Sequence, residues 1–219
     1  MTHLLKRTSI FLITTIPFLI VALFLVVTIP KKELHFLMNQ NNSHFQDVFF
    51  RNFTHFGDGN TAIIIVVLSL FFVNYRSFFI GLSSFVVSGV ASQILKRVFA
   101  DGAFRPAKVF NDSVLHYVPG IEMHYVDTFP SGHSATAFAL FLFLSYVFQK
   151  NNYIQIAFGF AAVMVCYSRV YLSQHFLIDT FFGALLGICS FYVCTYFLEK
   201  RNQNWLDLSF KSILKKQKT

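Results

Sequence analysis

The sequence predicts an all-α, polytopic membrane protein with six transmembrane helices and short interfacial helices in its outward loops. Three observations carry this prediction. Hydrophobic residues make up 55% of the 219 residues and charged residues only 13%, about half the charged share of soluble domains. Thirty phenylalanines and a mean hydropathy of +0.56 point the same way. The apolar residues also fall into six stretches free of Asp, Glu, Lys and Arg, each at or near the length that crosses hydrocarbon. A disordered chain and a water-soluble domain are both excluded, since neither could keep so much apolar surface in water.

The first span runs from Thr8 to Ile29, 22 residues without a charge. Lys6-Arg7 before it has the outline of a signal peptide, but the run is too long and ends in Pro30-Lys31-Lys32 without a small-x-small cleavage site. Spans two and three, Gly59 to Tyr75 and Ser77 to Leu95, touch at Asn74-Tyr75-Arg76, which requires a tight hairpin. Span two is the shortest. Spans four and five, Thr128 to Gln149 and Asn151 to Ser168, turn at Lys150-Asn151-Asn152. Span six covers about 176–198 and is uncharged from Thr180 to Leu198. The basic tail, 199–219, reads as a cytoplasmic anchor for anionic headgroups. Residues 1–219 form a single membrane domain, with no internal repeat.

The loops are uneven. Phe45, Val48, Phe49, Asn52, Phe53 and Phe56 in the first long loop repeat at helical spacing, as in a helix lying in the interface plane or capping the bundle. Lys6, Arg7, Arg76, Lys150 and the six basic residues from Lys200 to Lys218 place ten of the 18 Lys and Arg on the short-loop side. The positive-inside rule then makes both termini cytoplasmic and turns the long loops outward. The net charge of +8 belongs to these membrane-flanking clusters and not to a nucleic-acid surface. Cys166, Cys189 and Cys194 lie inside apolar runs and read as small buried hydrophobes, not as a disulfide framework.

Polar groups are costly inside a span unless they face a cavity or one another, and three patterns at the outward ends break that economy together. Pro130-Ser131-Gly132-His133 precedes the apolar run of span four. A helix start of this kind leaves backbone N–H groups free for an anion, and Gly132 permits close approach. His133 can exchange a proton near neutral pH. The same tetrapeptide also fits a plain N-cap with an interfacial histidine.

Ser168-Arg169 is followed after five residues by His175 and after three more by Asp179. Four-residue spacing puts His175 and Asp179 on one helix face, where a carboxylate can orient an imidazole. Arg169 presents a planar fork to phosphate oxygens. An ion pair at a helix end or a metal-binding pair would use the same spacing. The third pattern is Lys96-Arg97 followed by Phe104-Arg105-Pro106, below a stripe of Ser84, Ser88 and Ser92. The serines fit close helix packing, and Pro106 sets Arg105 at a turn.

In this order the three patterns resemble the type 2 phosphatidic acid phosphatase family, whose lipid members have six spans. The second and third patterns match in full. The first departs: eight residues separate Lys96 from Arg105, where the family usually has six, which suggests a two-residue insertion around Asp101-Gly102-Ala103. Arg97 in place of Lys96 would leave seven. The resemblance implies a cofactor-free and metal-free phosphatase acting through a phosphohistidine. It makes His175 the nucleophile, Asp179 its orienting carboxylate, and His133 the acid and then the base. Lys96, Arg105, Ser131, Gly132 and Arg169 would hold the phosphoryl oxygens.

A lipid phosphate is the partner this reading implies, its tail left in the bilayer of the inner membrane and its headgroup in a site at the outer face. No nucleic acid is involved. Undecaprenyl pyrophosphate, phosphatidic acid, phosphatidylglycerol phosphate and lipid A phosphates all fit, and outward loops without an extra domain favour the polyprenyl or phosphatidyl types. A non-catalytic binder or transporter of lipid phosphates would not need both histidines. A vanadate haloperoxidase, the family's soluble branch, does not fit six spans.

Overall fold

The computed structural model describes residues 2–99, 104–110, 114–210 and 212. Asp101-Gly102-Ala103, where the sequence suggests an insertion, and all but one residue of the tail beyond 210 lie outside the described residues. Among those described the chain is helical, with one isolated antiparallel bridge between Asn74 and Ser209.

Helices α1 (Thr2–Arg7) and α2 (Ser9–Thr28) open the chain, followed by α3 (Lys31–Gln40) and α4 (His44–Phe53). A 3-10 turn, Thr54–Gly57, leads into α5 (Gly59–Ser69) and α6 (Tyr75–Val98). The short α7 (Pro106–Val109) sits in the second long loop. Then come α8 (Gly132–Val147), α9 (Asn152–Tyr171), α10 (Leu177–Glu199) and a 3-10 turn at Asn204–Asp207. Asn74, Ser131 and Asn151 each cap the helix that follows, their side-chain oxygens accepting from Ser77, Ser134 and Ile154 N–H. These caps satisfy donors that a helix start leaves free.

Among the described residues four helices, α2, α6, α9 and α10, are long and apolar enough to cross a membrane. The stretches read as spans two and four become the shorter apolar helices α5, of 11 residues, and α8, of 16. Span four starts later than its uncharged run because Pro130 and Ser131 form the entry and cap of α8. Conversely α6 continues through Lys96 and Arg97, and α9 through Arg169. Cations at helix C-termini are favoured by the backbone dipole, so they end a hydrophobic run without ending the helix.

Helix α8 is the centre of the bundle. Every residue from Ser134 to Phe143 is buried, and α5, α6, α9 and α10 pack around it. The approach of α10 depends on two glycines: a Cβ at Gly183 would fall 2.4 Å from Ser131 O, and one at Gly187 would fall 2.4 Å from Ala135 O. The stripe of Ser84, Ser88 and Ser92 on α6 is buried as well. Its hydroxyls at 84 and 88 bond back to their own helix, as small residues do where helices meet.

The two ends of the bundle differ in chemistry. At one end Arg7 pairs with Glu199 at 2.8 Å, and Arg76 forks onto Asp207 at 2.8 and 3.0 Å. The other end gathers the C-termini of α6 and α9 with the N-termini of α8 and α10. There the aromatic stripe of the first long loop forms α4, with Phe45 exposed and Phe50 buried against Tyr167 and Tyr171. Asp47 accepts hydrogen bonds from Tyr171 and His116 at 2.5 and 2.8 Å, which fastens α4 to α9 and to the second long loop.

Candidate active site

The turn between α9 and α10 explains the spacing of Arg169 and His175. The carbonyl of Arg169 accepts from both Gln174 and His175 N–H, at 3.0 and 3.1 Å. Ser173 supports this tight reversal in the left-handed region, at φ 53°. His175 emerges buried, one residue before the N-cap of α10. Asp179, in the first turn of α10, accepts the Phe176 N–H at 2.9 Å and is itself buried.

The expected direct pairing of His175 with Asp179 is mediated. His175 Nδ1 lies 3.7 Å from Asp179 Oδ2, beyond hydrogen-bond reach. Thr128 stands between them: its hydroxyl donates to Asp179 Oδ2 at 2.5 Å and its Oγ1 lies 3.3 Å from His175 Nδ1. A backbone link also ties the start of α8 to α10, since Ser131 N–H donates to the Asp179 carbonyl at 2.9 Å. The close approach permitted by Gly183 therefore registers the start of α8 against the start of α10.

Ser131 is fully buried, and its Oγ accepts from Ser134 N–H and Oγ at 3.4 and 3.0 Å. Gly132 is half-buried, and a Cβ there would meet only Ser92 Oγ at 3.6 Å. That Ser92 hydroxyl is buried without a partner among the described residues. His133, in the first turn of α8, is half-buried and lies close enough to His175 for its charge to act on it. The 3-10 turn after α4 packs directly on His133, because a Cβ on Gly57 would fall 2.9 Å from its carbonyl oxygen.

Three cations converge on the histidines. Arg105 caps α7 and is buried, its Nε donating to Val126 O at 2.7 Å and Nη1 to Gln174 O at 3.1 Å. These acceptors are carbonyls, so the guanidinium is held in place with no carboxylate paired directly to it among the described residues. Burial pushes the Arg105 pKa down, while Asp179 and Asp127 oppose the shift. Arg169 is buried and donates Nη1 to Thr54 Oγ1 at 2.9 Å, leaving Nε–H without a partner among the described residues. Lys96 acts electrostatically on both histidines. Burial first, then Arg105, Arg169, Lys96 and His133, hold the His175 pKa well below 6.5.

A cavity of about 460 Å³ opens beside this cluster, lined by Gln93, Lys96, Arg97, Arg105 and the segment Met123–Asp127. Among the described residues no three His, Cys, Asp or Glu side chains are grouped to hold a metal ion. All eight residues singled out in the sequence thus lie at one end of the bundle. Thr128, Gln174 and Thr54 join them, three ordinary polar residues that no motif marks. Each holds a motif residue from a distant point of the chain.

Among the described residues the chain is thus a helical bundle of the membrane-protein class, with two histidines and three cations gathered at one end. The chain belongs to the PAP2 superfamily, which its residues 77–203 match, and it is an integral membrane protein. It is 31% identical over 158 residues to phosphatidylglycerophosphatase B of Bacillus subtilis, covering 67% of this chain and 72% of that one. Lipid A 4'-phosphatase of Porphyromonas gingivalis is 29% identical over 161 residues, 68% of this chain and 66% of its own. Among solved structures, LpxE of Aquifex aeolicus superposes with a TM-score of 0.64 at 27% identity, over 77% of this chain and 94% of that one. The transmembrane PAP2-type phosphatidylglycerolphosphate phosphatase of Bacillus subtilis gives 0.61 at 25% identity, over 91% and 98%.

Proposed function

We propose that the chain is a metal-independent lipid phosphate phosphatase working through a phosphohistidine at the outer face of the inner membrane. One observation carries this reading: the buried His175 imidazole is tied through Thr128 to Asp179 and sits in the field of three cations. With the Thr128 hydroxyl donating to Asp179, its oxygen accepts from His175 Nδ1–H. The Nε2 lone pair is then free to attack phosphorus. A low pKa keeps that nitrogen unprotonated at neutral pH, and the cations that lower it also attract the phosphate.

In the first step the Nε2–P bond forms as the bond to the lipid oxygen breaks, and His133 gives that oxygen a proton. The bound phosphate supplies the negative charge that lets His133 carry a proton beside three cations. Water then attacks phosphorus, His133 takes its proton, and the P–N bond breaks to release inorganic phosphate. Arg105, Arg169, Lys96, Ser131 and the Gly132 N–H stabilise the charge of both transition states. The unpartnered Arg169 Nε–H is a donor available for that purpose.

Helices α5 and α8 complete six crossings in this reading. At 1.5 Å per residue α8 is about 24 Å long, and apolar residues flank it at both ends. The termini lie in the cytoplasm, beside the Arg7, Arg76 and Lys150 end of the bundle, and the exposed aromatic face of α4 rests in the outer interface. Polyprenyl pyrophosphates and phosphatidyl-type phosphates are the substrates favoured, in keeping with the phosphatidylglycerophosphatase likeness. Purified protein in mixed micelles should release phosphate from a panel of such lipids, and His175→Ala should release none. Absence of release from every lipid of the panel would overturn the reading.

A further inference from the structure

We infer that Arg97, assisted by Gln93, selects lipids that keep a second anionic phosphate between the phosphoryl group removed and the hydrocarbon tail. This rests on the phosphatase reading and adds the substrate class to it. The polar cavity beside the histidines is adjoined by an apolar groove of about 490 Å³ on α6, lined by Phe85, Val86, Gly89, Val90, Gln93, Ile94 and Arg97. Gly89 leaves open space where a side chain would stand. Gln93 and Arg97 are the two residues common to cavity and groove. They are four apart on one helix face, at the point where a headgroup in the cavity meets a tail in the groove.

Lys96 is among the largest charges acting on both histidines and Arg97 is not, so Arg97 is the cation of the pair placed to meet a second group. It is exposed, and among the described residues no carboxylate pairs with it. A cation at this junction matches a lipid whose linking group is charged. In a polyprenyl pyrophosphate the phosphate nearer the tail remains after the outer one is cleaved. In phosphatidylglycerol phosphate the phosphodiester has the same relation to the terminal phosphate. Phosphatidic acid offers only a neutral glycerol ester there, and a sugar 1- or 4'-phosphate offers neutral ring atoms.

The test compares kcat/KM of the full chain in mixed micelles for phosphatidylglycerol phosphate, farnesyl pyrophosphate and phosphatidic acid. In Arg97→Gln the preference for the first two over phosphatidic acid should fall about tenfold, the loss expected of one charge-assisted contact. For phosphatidylglycerol phosphate it should appear mainly in KM, since the phosphodiester is unchanged in the transition state. For farnesyl pyrophosphate, whose inner phosphate is the leaving group and gains charge, kcat should fall as well. Arg97→Lys should keep most of the preference, and Arg97→Glu should lower it further. If the wild type cleaves all three lipids and the ratios do not move in Arg97→Gln, the selection is wrong and the phosphatase reading stands. A wild type that cleaves none overturns both. Equal loss on all three lipids would place Arg97 on the phosphoryl group and overturn the inference alone.

Discussion

The hydroxyl of Thr128 donates to Asp179 Oδ2 at 2.5 Å, across 51 residues of chain, and its oxygen stands within reach of His175 Nδ1. The carboxylate thus orients the imidazole through an intermediary. Thr128→Val keeps the shape and removes both contacts, leaving a buried carboxylate with one donor fewer. A hydrogen bond to a charged group is worth about 1.5–3 kcal/mol, so kcat/KM should drop roughly 10- to 100-fold. Thr128→Ser should restore most of it. Wild-type activity in Thr128→Val would show that His175 needs no such tether.

Much of the fold was legible because a span announces itself by what it lacks. The uncharged runs located α2, α9 and α10 within a few residues, and the motif spacing brought His133, His175, Arg105 and Arg169 to one end. Helix lengths were less legible, since α8 begins only after its Pro130-Ser131 entry and α6 and α9 carry cations within their last turns. Thr128, Gln174 and Thr54 were not legible at all. Their partners lie 51, 69 and 115 residues away, and a Thr or Gln in a loop has no pattern of its own. The indirect link of His175 to Asp179 was hidden for the same reason: their spacing implies contact, and only the packing of α8 against α10 shows what separates them.

The acid limb of the pH profile should belong to His175. Its pKa is held below 6.5, by burial first and by cations next, so the proposed nucleophile is neutral at pH 7 and is lost to protonation only in more acid solution. Lys96 is one of the cations responsible. Removing a cation makes the imidazolium less unfavourable and raises the pKa. In Lys96→Met the limb of kcat/KM should therefore move to higher pH, along with a loss of rate. An unmoved limb would mean that another group controls it.

Chelation should leave activity intact, and vanadate should inhibit by occupying the pentacoordinate geometry. The described residues offer no cluster of ligands for a hard cation. Loss of phosphate release in EDTA, regained with magnesium or zinc, would contradict the metal-independent mechanism.

Below pH 6.5 the stability of the bundle should fall through His35. This residue of α3 is fully buried between Phe110 and Phe176, with Nε2 3.2 Å from Ser173 Oγ. Burial lowers its pKa to about 4, below the value near 6.5 of an unfolded chain. Between those values the unfolded state binds the extra proton, so stability is present above pH 6.5 and drains away as pH falls towards 4. At pH 5 the loss from this group is about 2 kcal/mol. His35→Phe removes it, and its unfolding midpoint in detergent should therefore decline less than the wild type's between pH 7.5 and pH 5. Parallel declines would show that His35 carries no such linkage.

The last prediction separates the two histidines. If His175 attacks phosphorus, His175→Ala lacks the covalent route, and no better leaving group can supply one. In the proposed mechanism His133 donates a proton to the departing oxygen, a contribution of roughly 10²–10⁴-fold, and an acidic phenol hardly needs it. With an aryl phosphate of low phenol pKa, His133→Ala should regain much of its rate in the step that forms phosphohistidine. His175→Ala should remain inactive on the same compound. The burst is the quantity to measure, because the proposed mechanism also has His133 activate the water of the second step, so that its loss would slow turnover after the burst. A larger rescue of His175→Ala would exchange the two roles. No burst from either variant would remove the case for His133 as the acid.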